Sequence, residues 1–290
     1  MKICGFTFIR NAIKFDYPIV EAITSILPLC DKFIVVIGNS SDNTRNLIER
    51  IDPEKINIID SNWDDRLREG GRVLAEETNK AIDNLPPDFD WAFYIQGDEV
   101  VHEKYHSAIL ASMDKWKDDK RVDGLLFKYK HFYGSYEFVG DSTRWYRNEV
   151  SIIRSDKSIR SFRDAQGFKK NGRLLNVKEA EATIYHYGWV KPPAKQLDKQ
   201  KYFNSLWHSD EWLKSNIPDV IEYDYSEIDS LVKFSGTHPS VMQSRITNSN
   251  WKFEFDPSRK KLSLKSRLKL LIEKLTGWRL GEYRNYKIID

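Results

Sequence analysis

In the stretch Asp90-Trp91-Ala92-Phe93-Tyr94-Ile95-Gln96-Gly97-Asp98-Glu99 an apolar, aromatic run ends at a glycine and two carboxylates, and a Pro86-Pro87 break precedes it. A run of this kind, bounded by breakers, predicts a buried central strand. In an open α/β sheet, ligands lie outside the carboxyl ends of the strands, so Asp98 stands where chemistry is usually placed. A carboxylate there can hold a divalent metal, and the metal can hold a diphosphate.

Upstream, the pattern alternates. Residues 2–9 form a short apolar strand ending at Arg10-Asn11, and Asp16-Tyr17-Pro18 opens a helix with Ile19, Ala22, Ile23 and Ile26 on one face. Residues 33–37 and 56–59 read as strands, residues 70–85 as a helix, and a shorter helix passes through Leu47, Ile48 and Ile51. Strand and helix in strict alternation predict a parallel sheet with right-handed crossovers, a Rossmann-like half. No G-x-G-x-x-G and no G-x-x-x-x-G-K-[ST] occurs, which argues against a dinucleotide cofactor and a P-loop.

Downstream, a helix carrying Ile109, Leu110, Met113 and Trp116 gives way to β segments at 124–132, 150–154, 174–177 and 182–187. They predict a mixed, partly antiparallel second half completing the sheet. Residues 195–214 and 259–275 read as helices. The expected division is a catalytic domain over 1–190 and a helical C-terminal extension over 191–290.

Composition sets the class. A chain of 290 residues with 40% hydrophobic and 31% charged content is expected to bury a substantial core. No apolar run approaches the ~20 residues of a membrane span. The opening residues lack a signal peptide's apolar core, and Cys4 and Cys30 sit in apolar settings, so reduced thiols in a cytoplasmic protein are expected. A net charge of +3 gives no argument for nucleic acid.

The order of elements, with Phe8-Ile9-Arg10-Asn11, Asn39-Ser40-Ser41-Asp42-Asn43-Thr44, Gln96-Gly97-Asp98-Glu99 and Ile184-Tyr185-His186-Tyr187, resembles the inverting family 2 glycosyltransferases of the GT-A fold. There the first segment lines the nucleotide, the second is the tail of a D-D-G-S-x-D-x-T loop, the third is D-x-D-E, and the fourth carries a histidine that completes a metal site. This chain departs from the pattern: Ile37 and Gly38 replace the paired aspartates, and Gln96 replaces the first aspartate of D-x-D. The resemblance implies a hexosyltransferase-like enzyme of polysaccharide biosynthesis. It would take a nucleoside diphosphate sugar donor, a glycan or lipid-linked saccharide acceptor, and Mn²⁺ or Mg²⁺.

The site expected on this basis has Asp98 and His186 at the metal, and Phe8, Arg10, Asn39, Arg72, Gln96 and Asp98 around the donor. Asp164 is expected as the base that takes the acceptor hydroxyl's proton, with Asp141 and Glu149 as rivals. Each has a plainer reading. Asp98 can cap a helix beginning near Val100, His186 can be a hydrogen-bonded strand histidine, and Asp164 can be a turn residue paired with Arg163 or Arg160. Arg10, Arg72 and Lys191 suit a diphosphate or are solvated charges, and Asp42 suits a helix cap. Aromatic residues in 131–136, 145–147 and 187–189 suit an acceptor surface or a packed subdomain.

The basic helix over 259–275 places Leu264, Leu268, Leu271 and Leu275 in one stripe, suited either to the inner face of a membrane or to docking on the same protein. A non-catalytic glycan-binding or scaffold protein on the same fold is the alternative from another class. A sugar nucleotidyltransferase ranks third, for want of a glycine-rich loop after the first strand.

Overall fold

A computed structural model describes residues 1–67, 69–217 and 220–290. In chain order it contains β1 (Ile3–Ile9), α1 (Ile19–Ile26), β2 (Lys32–Gly38), α2 (Thr44–Glu49), β3 (Ile56–Ser61), α3 (Arg72–Asp83) and β4 (Trp91–Tyr94). Then follow β5 (Glu99–Val101), α4 (His106–Trp116), β6 (Gly124–Tyr133), β7 (Phe138–Gly140), β8 (Asn148–Arg154), β9 (Ile159–Phe162), β10 (Gly167–Lys170) and β11 (Arg173–Trp189). The chain ends with α5 (Pro193–Ser205), α6 (Asp210–Asn216), β12 (Leu231–Lys233), α7 (Gln243–Thr247), α8 (Leu264–Thr276) and β13 (Tyr286–Ile288).

The central sheet runs β3-β2-β1-β4-β8-β6-β11-β10-β9. β1 is parallel to β2 and β4, and β2 to β3, while β8 is antiparallel to both β4 and β6. The fold is the Rossmann-like, mixed α/β arrangement expected from the sequence, a central sheet flanked by helices. Side chains of a strand alternate between faces. Ile3, Phe33, Val35, Trp91 and Phe93 therefore pack with α1 on one side, and Cys4, Phe6, Ile34, Val36, Ala92 and Tyr94 pack with Ala81 and Ile82 of α3 on the other. Both faces are buried, so these strands read as continuous apolar runs. Cys4 and Cys30 are buried free thiols.

Three features depart from the sequence expectation. Residues 99–101 form a strand, not a helix, and the next α-helix starts at His106, so Asp98 caps nothing. β5 pairs antiparallel with β11, and this long-range pairing overrides the local signal. The two expected β segments at 174–177 and 182–187 are parts of one 17-residue strand. Residues 195–214 divide into two helices at Leu206.

After residue 190 the chain comes back to the core: α5 brings Lys199 to Asp98, past the end of β4, and β13 adds a strand parallel to β11. No helix among the described residues is long and apolar enough to cross a membrane.

Candidate functional site

A cavity of about 460 Å³ opens at the carboxyl ends of β1 and β4, lined from those strands by Phe8, Ile9, Arg10, Gln96, Gly97 and Asp98. Strand registry explains the rest of its floor. β5 lies antiparallel to β11 with Glu99 opposite His186, and Tyr187 N–H donates to the Asp98 carbonyl at 2.8 Å. β6 lies parallel to β11 with His131 opposite His186. Asp98, His186 and His131 are thereby brought together from segments that are distant in sequence.

Asp98 is buried, and each of its oxygens has a different neighbour. Lys199 of α5 donates to Oδ2 at 2.8 Å and also to the Gly188 carbonyl at 2.9 Å, while His186 Nε2 lies 3.7 Å from Oδ1. Burial by itself would raise the Asp98 carboxyl, but Lys199 first and His186 next hold it well below the usual carboxylate range. Gly188 permits this packing, because a Cβ there would sit 2.6 Å from the His186 ring and 2.7 Å from Asp98 Oδ2.

The histidines form a relay. His131 Nε2 lies 2.9 Å from the Tyr146 carbonyl, an acceptor only, so this nitrogen carries a proton. His131 Nδ1 is then left to accept from His186 Nδ1, 3.2 Å away. Burial favours the neutral form of both rings: it lowers His131 well below its ordinary value and pushes His186 down to about 4, although Asp98 opposes the latter. The bare lone pair of His186 Nε2 consequently faces Asp98 Oδ1. Two acceptors turned toward each other suit a shared cation, and a metal-binding histidine commonly has its other nitrogen fixed in this way. These residues fit a divalent ion, with the remaining positions left to ligand oxygens. Among the described residues no group of three or more His, Cys, Asp or Glu side chains is arranged to hold a metal.

The cavity's other wall bears donors and rings. Arg10, paired with the exposed Asp65 at 3.1 Å, lies over Trp63 and Tyr202. Arg10 Nε and Trp63 Nε1 are buried without a hydrogen-bond partner. Lys191 lies beneath, fully buried, donating to the carbonyls of Phe15 and Asp16, and both it and Lys199 stand over the Tyr17 ring. Burial, then the neighbouring Lys199, lowers the Lys191 ammonium well below its ordinary value. Donors outnumber carboxylates on this wall, which suits an anionic ligand.

Asp164 lines the same cavity from the turn between β9 and β10. The residues on either side of it, Arg163 (φ 56°) and Ala165 (φ 64°), both adopt the left-handed conformation, which strains a non-glycine backbone. Burial raises the Asp164 carboxyl, only partly offset by nearby backbone N–H groups and Arg163. Gly71 makes room for the turn, since a Cβ there would lie 3.0 Å from Asp164 Cβ and from the Trp207 ring. Asp164 and Gln166 also line a second cavity of about 440 Å³, with Phe162, Arg163, Trp207, Tyr283 and Asn285. Trp207 Nε1 and Asn285 Oδ1 are buried there without partners.

Of the residues expected from sequence, Phe8, Arg10, Gln96, Asp98, Asp164 and His186 meet in the main cavity. Asn39 and Arg72 are exposed and do not line it. Asp42 accepts from Thr44 N at the start of α2 and from Lys14 N, a structural role. Asp141 pairs with Lys260. Glu149 lies behind Gln166, which donates to it at 2.9 Å, and burial pushes its carboxyl up to about 8. Tyr146 and Trp189 reach the cavity, but Phe132, Tyr133, Tyr136, Trp145 and Tyr187 are buried in aromatic clusters with Tyr225, Phe234, Phe253 and His238. Most of the expected acceptor surface is therefore a packed subdomain.

Lys199, Tyr202 and Trp207 escaped the sequence reading, and His131, read only as part of the 131–136 acceptor loop, showed no ligand spacing. Only the helical spacing of Gln196, Lys199, Phe203 and Leu206 on one face of α5 signalled the first of them.

Among solved structures, S. aureus TarS 1–349 in complex with UDP matches 70% of this chain and 64% of its own, at 15% identity and a TM-score of 0.43. The mannosyltransferase PcManGT from Pyrobaculum calidifontis, in complex with GDP-Man and Mn²⁺, matches 46% of this chain and 35% of its own, at 16% identity and 0.33. Glucosyl-3-phosphoglycerate synthase from Mycobacterium tuberculosis, in complex with Mn²⁺, uridine diphosphate and phosphoglyceric acid, matches 46% and 43%, at 17% identity and 0.29. The match spans less than two thirds of the length of each of these structures. No protein-family model and no curated protein sequence matches the chain. Likenesses this distant leave the reaction to be read from the site's own residues.

Proposed function

We propose that the protein is a glycosyltransferase that moves a sugar from a nucleoside diphosphate sugar to a saccharide acceptor, with inversion at the anomeric carbon. The observation that carries this reading is the position of Asp164. It lies on the wall between two cavities, one lined by Asp98, Lys199 and the unpartnered donors Arg10 Nε and Trp63 Nε1, the other open behind the carboxylate.

The donor occupies the main cavity. Its nucleoside lies among Phe8, Trp63 and Tyr202, and Lys199 and Arg10 take the diphosphate oxygens. An ammonium and a guanidinium fixed in a buried site stabilise charge developing on a leaving diphosphate without reorganising as it forms. A divalent ion, Mn²⁺ or Mg²⁺, would be held by Asp98 and His186 and would supply Lewis-acid stabilisation of the same leaving group. His131 keeps the His186 lone pair turned toward that position.

The acceptor enters by the second cavity, between Trp207 and Tyr283. Its hydroxyl gives its proton to an Asp164 oxygen as it attacks the anomeric carbon from the face opposite the diphosphate. A carboxyl raised by burial is a stronger base than an exposed one. The reaction takes place at the cytoplasmic face.

Melting temperature measured against a panel of nucleoside diphosphates, with and without Mn²⁺, tests the donor site. A ligand that binds the folded state raises it by mass action. A shift with one nucleotide, lost in Asp98→Ala, supports the reading and names the donor class. No shift with any nucleotide removes the donor site. Nucleotide binding without turnover on any acceptor favours a non-catalytic glycan-binding protein.

A further inference from the structure

Helix α8 has its apolar stripe on the outside. Leu264, Leu268, Leu271 and Leu275 follow one another at helical spacing and are 85%, 58%, 52% and 74% exposed. A surface helix ordinarily turns such a stripe inward. Here the inward side is the more polar one, fastened by Glu273 to Arg147 at 3.5 Å, and by the segment behind it, where Arg279 donates to the Ser142 carbonyl at 3.3 Å. Beyond the helix, Trp278 is 56% exposed and Tyr283 60% exposed. Docking of the leucine face on the same chain, open in the sequence, does not occur among the described residues.

Cations flank the stripe. Lys265, Arg267, Lys269 and Lys274 form no ion pair with a carboxylate among the described residues, and Glu273, the one acidic residue of the helix, is used by Arg147. A second copy of the chain packed on this face would bring two sets of unpaired cations together. A bilayer rich in anionic lipid instead meets both demands at once, acyl chains for the leucines and headgroups for the lysines, with tryptophan and tyrosine at the level where these rings settle.

We infer that α8 lies in the plane of an anionic membrane surface and holds the protein there. Tyr283 belongs both to this exposed surface and to the wall of the second cavity. If the transfer reading holds, an acceptor carried on a lipid would reach Asp164 from that side. The docking itself stands without that reading.

Co-sedimentation of the full chain with vesicles tests it, using phosphatidylcholine alone against phosphatidylcholine with about one quarter phosphatidylglycerol. Binding is expected to the anionic vesicles, to weaken with salt, and to fall by about fivefold for each of Lys265→Gln and Lys274→Gln. The double variant Leu268→Glu with Leu271→Glu is expected to lose binding while keeping the melting temperature and any nucleotide-induced shift, because both side chains are exposed. Absence of binding to anionic vesicles overturns the inference. So does self-association that the leucine variant abolishes without any vesicle binding, which would assign the face to a second copy. A lost nucleotide shift in every form would count against the transferase and leave the membrane result untouched.

Discussion

Two aspartates line one cavity and are pulled in opposite directions. Asp98 follows a central strand, is enclosed by β11 and α5, and is kept ionised by Lys199. Asp164 stands on a strained hairpin turn where burial raises its carboxyl and the adjacent Arg163 offsets that only in part. Under the proposed transfer, environments that split like groups in this way would leave the first to hold charge and the second to take a proton.

The largest effect is expected at Asp98. Asp98→Ala leaves Lys199 buried without its carboxylate, and breaking a buried pair costs about 3–5 kcal/mol. Chemical denaturation of the two proteins measures this, and a loss below 1 kcal/mol would show that the pair is not held as drawn. Asp98 also makes the wild type sensitive to acid. Its lowered carboxyl contributes stability that is complete above the ordinary range near pH 4, and that stability is lost as pH falls further.

Asp164→Asn is expected to lower kcat by about 10²–10⁴-fold with nucleotide affinity unchanged. A matching loss of nucleotide affinity would make it a donor residue and erase the contrast with Asp98. In the wild type the rate should climb with pH as the raised Asp164 carboxyl ionises, with the climb lying above the ordinary aspartate range.

A subtler effect is expected at Gly188→Ala, where the new methyl meets His186 and Asp98. Isothermal titration should show weaker Mn²⁺-dependent nucleotide binding with Asp164 chemistry otherwise intact. The smallest effect concerns Glu149, whose carboxyl is raised to about 8 by burial. Stability from its neutral form is complete below the ordinary glutamate value and is lost as pH rises through about 8. Glu149→Gln should flatten melting temperature across that window, and an unchanged slope would assign the pH dependence elsewhere.

The sequence by itself determined strands β1 to β4, β6 and β8, the α1 and α3 crossovers and the place of Asp98 just past the end of β4. Periodicity and breakers are local, and a buried parallel strand announces itself by an apolar run. It also marked Asp164 and His186, but not what surrounds them. Lys199 meets Asp98 across 101 residues and His131 meets His186 across 55, contacts that depend on strand register and on how α5 folds back. The strand at 99–101 formed where a helix was expected because its partner β11 lies far along the chain. Pattern likewise showed an amphipathic helix at 264–276, but only tertiary packing decided that its leucines face outward, because the fastening groups, Arg147 and Ser142, come from elsewhere in the fold.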